Sequence, residues 1–401
     1  MENRDKIIDN LLKKGVSRVI DEENLRKRLT SGKKLRIKLG IDPTGSVIHI
    51  GHAVPILKLK AFQDLGHQVV LIIGDSTAEV GDTSDKNAER PLLTKEEIKE
   101  NYKNYINMFS KILDIDKVEV RYNSEWLSKI DFNGVGHLAK NFSVAEMLDR
   151  DNFSKRYKGG VRISLQEFLY PLMQGYDSIA VEADVELGGN DQYFNLLAGR
   201  RLQEAYGQEK QDVMMFNLIE GTDGRKMSKT YHNFIGLDES ANNMFVKVME
   251  IKDELILTYF EHCTDMFLED IEQYKTRLES GENPREVKID LAKTIVTLYF
   301  DEDAAQEAYK YFEKVLKEGL VPDEKDIEKV ELEDSELPLV SLIRQAGMVN
   351  NSTEARNALN SNGVKVNNEK QTDAKFMVKL DKENYTLLQV GKKKFKLVKQ
   401  K

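Results

Sequence analysis

One cysteine, Cys263, among 401 residues cannot form an intrachain disulfide and cannot build a four-thiolate zinc site. The simplest expectation for it is a buried apolar thiol. Long apolar runs are missing too: the opening MENRDKIIDNLLKKG is charged and helical in pattern, and no membrane-length stretch follows it. Neither a signal peptide nor a membrane anchor is expected, so a soluble, cytoplasmic protein without a membrane partner is. No internal repeat or low-complexity array is visible.

What is present is length enough for two or three domains, with 40% hydrophobic residues to fill their cores. Charge is spread unevenly. The net charge is −8, yet residues 337–401 hold 13 Lys and Arg against 5 Asp and Glu, a local +8. A basic terminal module on an acidic body suits contact with a polyanion, the plainer reading being a solvated lysine-rich tail.

Alternation at Leu35, Ile37, Leu39 and Ile41 reads as a strand running into the turn Asp42-Pro43-Thr44-Gly45. A helix through Val54, Leu57, Lys58 and Phe62 ends near Gly66, and the apolar run Val69 to Ile73 then reads as a buried parallel strand. A βαβ unit of this size suits a nucleotide-binding sheet. Further on, Thr94 to Leu113 reads as a helix and Val118 to Tyr122 as a short strand. Phe142 to Arg156 reads as a helical insertion, Leu165 to Asp177 as a helix and Ile179 to Leu187 as a strand. After Lys226 amphipathic helices without strands are expected, over Asn242 to Leu278 and Arg285 to Lys317. The expected class is α/β. A Rossmann-like parallel-sheet domain (1–236) precedes an all-helical domain (237–321), an acidic linker (322–336) and a small α+β domain (337–401). In the last, two short helices, Leu339 to Ala346 and Ser352 to Asn360, come before strand-like pieces.

His49-Ile50-Gly51-His52 places two imidazoles three apart at a helix start, on one face. Backbone N–H groups and the helix dipole there suit phosphate, and Gly51 removes a side chain that would block a nucleotide. Lys226-Met227-Ser228-Lys229-Thr230 follows Asp223-Gly224. Two ammonium groups on a loop can follow a pyrophosphate as charge develops on it. Each string alone is weak, since such histidines are more often structural and loop lysines usually only solvated. In this order, one after the first strand and one after the last sheet segment, the pair resembles the class I aminoacyl-tRNA synthetases. On the Leu165 to Asp177 helix, Leu165, Phe168, Leu169, Leu172 and Met173 make one apolar face, and Tyr170, Gln174 and Asp177 fall together on another, which could be an ordinary polar face. Yet YPLMQGYDS, with GGNDQYFN at Gly188 to Asn195 and NSEWL at Asn123 to Leu127, resembles the bacterial tyrosyl-tRNA synthetases in particular, and the resemblance runs along essentially the whole chain.

That resemblance implies a set of roles. Asp177 would accept the phenol hydroxyl of L-tyrosine. Tyr170, Gln174 and Asp82, helped by Thr77 and with Asp42 in the same pocket, would hold its ammonium group, and Gln192 would lie near its carboxylate. Thr44, His49 and His52 would meet the phosphates of ATP, with Gly51 close by, Asp191 near the ribose, and Leu218 and Ile219 beside adenine. Lys86 and Arg90, with Lys226, Lys229 and Thr230, would meet pyrophosphate. A carboxylate attacking the α-phosphate is already an ionised nucleophile, so positioning and charge stabilisation must supply the rate. Mg2+ would come with ATP; no side-chain cluster calls for a dedicated metal cage. The segment SLIRQAGMVNNSTEARNALNSNGVKVNNEK resembles an S4-type RNA-binding domain, in which Arg344, Arg356 and Lys365 would follow the phosphates of tRNA(Tyr). A homodimer is implied, through the insertion around Phe142 to Arg156.

Four positions depart from the family pattern. Lys38 stands where some members carry a tyrosine that touches the substrate hydroxyl, Thr83 and Asp85 where proline and glycine are more frequent, and Gln166 where histidine is commoner. Two other readings are open: a tryptophanyl-type synthetase, and an RNA-binding protein that keeps the fold without catalysis. The Tyr170, Gln174, Asp177 set speaks against the first, and the intact His49, His52, Lys226 and Lys229 against the second.

Overall fold

A computed structural model of the chain describes every residue except 1, 44, 46–47, 83–93, 228–230, 232, 319–320, 322–323, 325–326, 350 and 392–393. Six strands form the principal sheet: β1 (Arg18–Ile20), β2 (Arg36–Ile41), β3 (Gln68–Ile73), β4 (Glu119–Tyr122), β5 (Val185–Gly189) and β6 (Asp212–Phe216). Their order is β1-β6-β5-β2-β3-β4, all parallel except the edge strand β1. A parallel sheet is covered on both faces, so its strands read as continuous apolar runs. In β3, Val69 to Ile72 are fully buried. Lys38, in the middle of β2, is fully buried as well.

The chain moves from β2 outward to β3 and β4, then returns to the other side of β2 for β5 and β6. Strand order therefore reverses between β2 and β5, and a crevice forms beyond the carboxyl ends of such strands. Three helices frame it: Ile50–Asp64 between β2 and β3, Leu165–Ala180 before β5, and Tyr193–Ala205 between β5 and β6. The last two pack closely because glycine lets them. A Cβ on Gly175 would fall 2.8 Å from Leu202 Cδ1, and one on Gly199 would fall 2.8 Å from Ser178 Oγ.

The strand expected over Ile179 to Leu187 is shorter than the sequence suggests. The helix continues to Ala180, Glu182 turns the chain with φ of 50°, and the strand begins at Val185. Val181 is buried at the helix end rather than in the sheet, which is why its apolar character misleads.

By internal packing the chain divides into two units, one of residues 1–227, 234–238 and 252–287, the other of 228–233, 239–251 and 288–401. The helices Ile256–Cys263 and Leu268–Glu279, expected in a separate helical domain, thus belong with the sheet. Lys14 Nζ donates to the Thr264 carbonyl, and Cys263 is wholly buried. Helical periodicity reports a buried face without saying which core buries it.

In the second unit, Ala241–Glu250 and Glu302–Glu318 meet through Phe245 and Phe312, with ring centroids 5.4 Å apart. Strands β7 (Glu328–Leu332), β9 (Val364–Val366), β10 (Glu369–Gln371), β12 (Thr386–Val390) and β13 (Lys394–Gln400) form a sheet in the order β10-β9-β12-β13-β7. A short ladder pairs β8 (Glu336–Pro338) with β11 (Met377–Lys379). Helices Leu339–Gln345 and Ser352–Asn360 share with this sheet a core of Leu342, Ile343, Leu359, Val364, Leu388 and Val398.

The acidic stretch read as a linker is in part a strand. β7 runs parallel to β13, with Val330 opposite Val398, and Glu328, Glu331 and Glu333 form ion pairs with Lys396, Lys399 and Lys401. These three acidic side chains, though exposed, each have a lysine partner on or next to β13. Among the described residues no helix is long and apolar enough to cross a membrane.

Candidate active site

A cavity of about 360 Å³ lies where the strand order reverses, lined by Ile41 and Asp42 at the end of β2 and by Gly188 and Gly189 at the end of β5. Asp42, His49, Gly51, His52, Thr77, Asp82, Tyr170, Gln174, Asp177, Asp191, Gln192, Leu218, Ile219 and Lys226 all line it. Thr44, Lys86, Arg90, Lys229 and Thr230 lie outside the described residues, as do Thr83 and Asp85. Arg344 and Arg356 are exposed on the two C-terminal helices and Lys365 is half-buried on β9, all in the second unit.

At one end of the cavity the Leu165–Ala180 helix presents Tyr170, Gln174 and Asp177, which are buried, whereas Leu165 and Leu169 of its apolar face are exposed. Leu172 of the same apolar face is buried, so the helix is covered on both sides there, and burying polar groups has a cost that only their partners offset. Asp177 accepts from Trp126 Nε1 at 2.8 Å and from Asn123 Nδ2 at 3.3 Å. Burial pushes its carboxyl up to about 7; the Lys38 charge, then the Trp126 and Asn123 donors, hold it down against that burial. Asn123 is itself fixed, donating to Thr77 Oγ1 at 3.0 Å while its oxygen accepts from the Ser76 backbone at 3.0 Å.

Asp42 is held at both oxygens. Thr77 Oγ1 donates to one at 2.6 Å and Tyr170 Oη to the other at 2.7 Å. The turn needs glycine beside it, because a Cβ on Gly74 would fall 2.0 Å from Asp42 Oδ1. Gln174 Nε2 donates to Glu186 at 3.0 Å, so its amide oxygen, an acceptor, is the end left for a cationic ligand.

At the other end, His49 caps the Ile50–Asp64 helix in extended conformation, and its backbone N–H donates to His52 Nδ1 at 3.2 Å. The accepting Nδ1 leaves the ring proton on Nε2 in the neutral tautomer. The two rings lie 3.8 Å apart between centroids. A Cβ on Gly51 would fall 3.1 Å from the His49 ring, so this glycine makes room for the imidazole as well as for a ligand.

One isolated bridge closes the turn that leads to Lys226, and a second ties residue 236 to this helix start. Glu220 pairs with Lys226 across a turn that includes Gly224 at φ of 80°, and Gly236 pairs with His49. Ile50 N–H donates to the Ile235 carbonyl and Leu237 N–H to the Ile48 carbonyl, both at 2.9 Å. The pairings of residues 48–50 with 235–237 join segments far apart in sequence, and no local pattern announces them. Tyr105 and Phe109 also line the cavity, and nothing in the sequence marks them, because one face of an amphipathic helix looks like any other.

Of the departures from pattern, Gln166 is exposed and does not line the cavity. Lys38 pairs with Glu186 at 2.9 Å inside the fold.

A parallel sheet with a cavity at its switch point, paired imidazoles at a helix start and Lys226 lining the same cavity define a class I tRNA synthetase. The family described as tRNA synthetases class I (W and Y) matches residues 30–317, and the Tyrosine--tRNA ligase SYY-like C-terminal domain matches residues 321–398. A Tyrosine--tRNA ligase of Carboxydothermus hydrogenoformans is 48% identical over 394 residues, 96% of each chain. One of Thermotoga maritima is 46% identical over 387 residues, 96% of this chain and 95% of its own. Among solved structures, a C-terminally truncated mitochondrial tyrosyl-tRNA synthetase of Aspergillus nidulans aligns with a TM-score of 0.65 at 21% identity, over 77% of this chain and 94% of its own, a likeness of fold. The chain belongs to the tyrosine–tRNA ligase family.

Proposed function

We propose that the chain activates L-tyrosine with ATP and then transfers it to the 3'-terminal ribose of tRNA(Tyr). The observation that carries this reading is the buried polar face of Tyr170, Gln174 and Asp177, in one cavity with the His49–His52 pair and Lys226. Asp177, held by two donors, keeps lone pairs for a phenol hydroxyl, and Tyr170, Gln174 and Asp82, backed by Thr77 and Asp42, suit an ammonium group. With Gln192 at the carboxylate, a tyrosine oxygen bonds to the α-phosphorus of ATP, the bond from that phosphorus to the β-bridging oxygen breaks, and pyrophosphate leaves. His49, His52 and Lys226, with Thr44, Lys86, Arg90, Lys229 and Thr230, stabilise that departing charge. Asp191 holds the ribose, and Leu218 and Ile219 the adenine. Mg2+ enters only as the ion that ATP brings. A terminal ribose hydroxyl then attacks the tyrosyl carbonyl and releases AMP.

The test is amino-acid-dependent exchange of labelled pyrophosphate into ATP. Exchange driven by tyrosine and not by tryptophan or phenylalanine is expected. Tryptophan-driven exchange would mean a tryptophanyl-type enzyme, and none with any amino acid would mean a non-catalytic relative.

The same reading gives the second unit a grip on tRNA and the enzyme a cytoplasmic location. Alanine at Arg344, Arg356 and Lys365 is expected to weaken tRNA(Tyr) binding and to flatten its salt dependence by about one unit of slope for each phosphate no longer neutralised. Pyrophosphate exchange should not change; equal binding at every salt concentration would remove these residues from the interface. A homodimer also belongs to this reading, supported by Phe132, Val144, Tyr157 and Leu165, large apolar side chains exposed near the expected insertion. Sedimentation at the mass of one chain at micromolar concentration would exclude it.

A further inference from the structure

Lys38 occupies a central strand where a charged side chain needs a specific reason. Its ammonium has three donors and no acceptor, and three acceptors meet it: the Gln174 carbonyl at 2.9 Å, Ser178 Oγ at 2.8 Å and Glu186 Oε1 at 2.9 Å. All three protons are committed, so Lys38 has none left for a phenol. Glu186 in turn accepts from Gln174 Nε2 at 3.0 Å, from Ser178 Oγ at 3.1 Å and from Gln211 Nε2. The pair thus grips the helical turn that carries Asp177 from the side away from solvent, at residues 174 and 178.

We propose that Lys38 and Glu186 are a positioning pair for phenol recognition: Lys38 is the buried counter-charge to Asp177 and the tie that sets its helical turn, without touching substrate. This rests on reading the cavity as a tyrosine site. The groups facing Asp177 are Lys38 from β2, Glu186 from β5, Asn123 and Trp126 from the segment after β4, and Tyr170 from its own helix, itself bonded to Asp42. Of these only Lys38 is a cation. Its charge favours ionised Asp177, and that of Glu186 opposes it. Removing one or the other charge should therefore move the titration of Asp177 in opposite directions.

The experiment measures kcat/KM for tyrosine in pyrophosphate exchange against pH, on the full-length chain and on Lys38→Met, Lys38→Arg and Glu186→Gln. Lys38→Met is expected to move the acid limb to higher pH and to raise KM for tyrosine at pH 7 by about tenfold, with KM for ATP unchanged. Glu186→Gln should move the limb to lower pH, and Lys38→Arg should return it to its original place. If Lys38→Met does not fold, the other two variants carry the test. Limbs that stay in place or move together, or a parallel rise in KM for ATP, would overturn the proposal. Wild-type protein without tyrosine-dependent exchange would instead remove the tyrosine reading itself.

Discussion

Asp177→Asn is expected to lower kcat/KM for tyrosine by roughly 10²-fold, because a phenol would lose a charge-assisted hydrogen bond to a buried group. Phenylalanine, which offers no hydroxyl, should change far less, so the ratio of the two rates measures that hydrogen bond. The variant should also be a stable protein. Asp177 titrates at about 7 when folded, against 3.8 as its ordinary value. The folded state then binds more protons than the unfolded state between those values, and stability falls as pH rises through that window. Asparagine has no proton to lose, so the variant should gain on the wild type in urea at pH 8 and lose that advantage near pH 4. Lower stability of the variant at pH 8, or an unchanged ratio of tyrosine to phenylalanine activation, would contradict a buried carboxylate that reads the phenol.

Lys226→Ala should act at the other end of the cavity and on the other kinetic constant. Removing one preorganised cation from the path of a leaving pyrophosphate costs roughly 10²- to 10³-fold in kcat, with KM for tyrosine nearly unchanged. A rise in KM for tyrosine at constant kcat would place the lysine in ground-state binding instead. Single-turnover formation of the adenylate, followed by quench, separates the two.

Much of the sheet could be read from the sequence because buried parallel strands are uniformly apolar, as in Val69 to Ile73, and because turns and caps mark their ends. The strand after the Leu165–Ala180 helix could not be placed, since Ile179 and Val181 are apolar for a helix end that packs inward. In the cavity, the histidine pair and the Tyr170, Gln174, Asp177 row were legible as spacing. Their partners were not. Trp126 and Asn123 reach Asp177, and Glu186 reaches Lys38 and Gln174, across distances in sequence that only the fold closes. Lys38 itself could be seen as a departure, but its bonds to Gln174, Ser178 and Glu186 depend on a helix and two strands meeting.

The ladder between β7 and β13 changes how the basic end of the chain is to be counted. Lys396, Lys399 and Lys401 each face a glutamate from the preceding acidic stretch. Those three charges release fewer condensed counterions on meeting a polyanion than unpaired ones would, so the ionic-strength slope of binding should fall short of what the tail's composition implies. The electrostatic footprint then shifts from the last strand toward the two helices that carry Arg344 and Arg356.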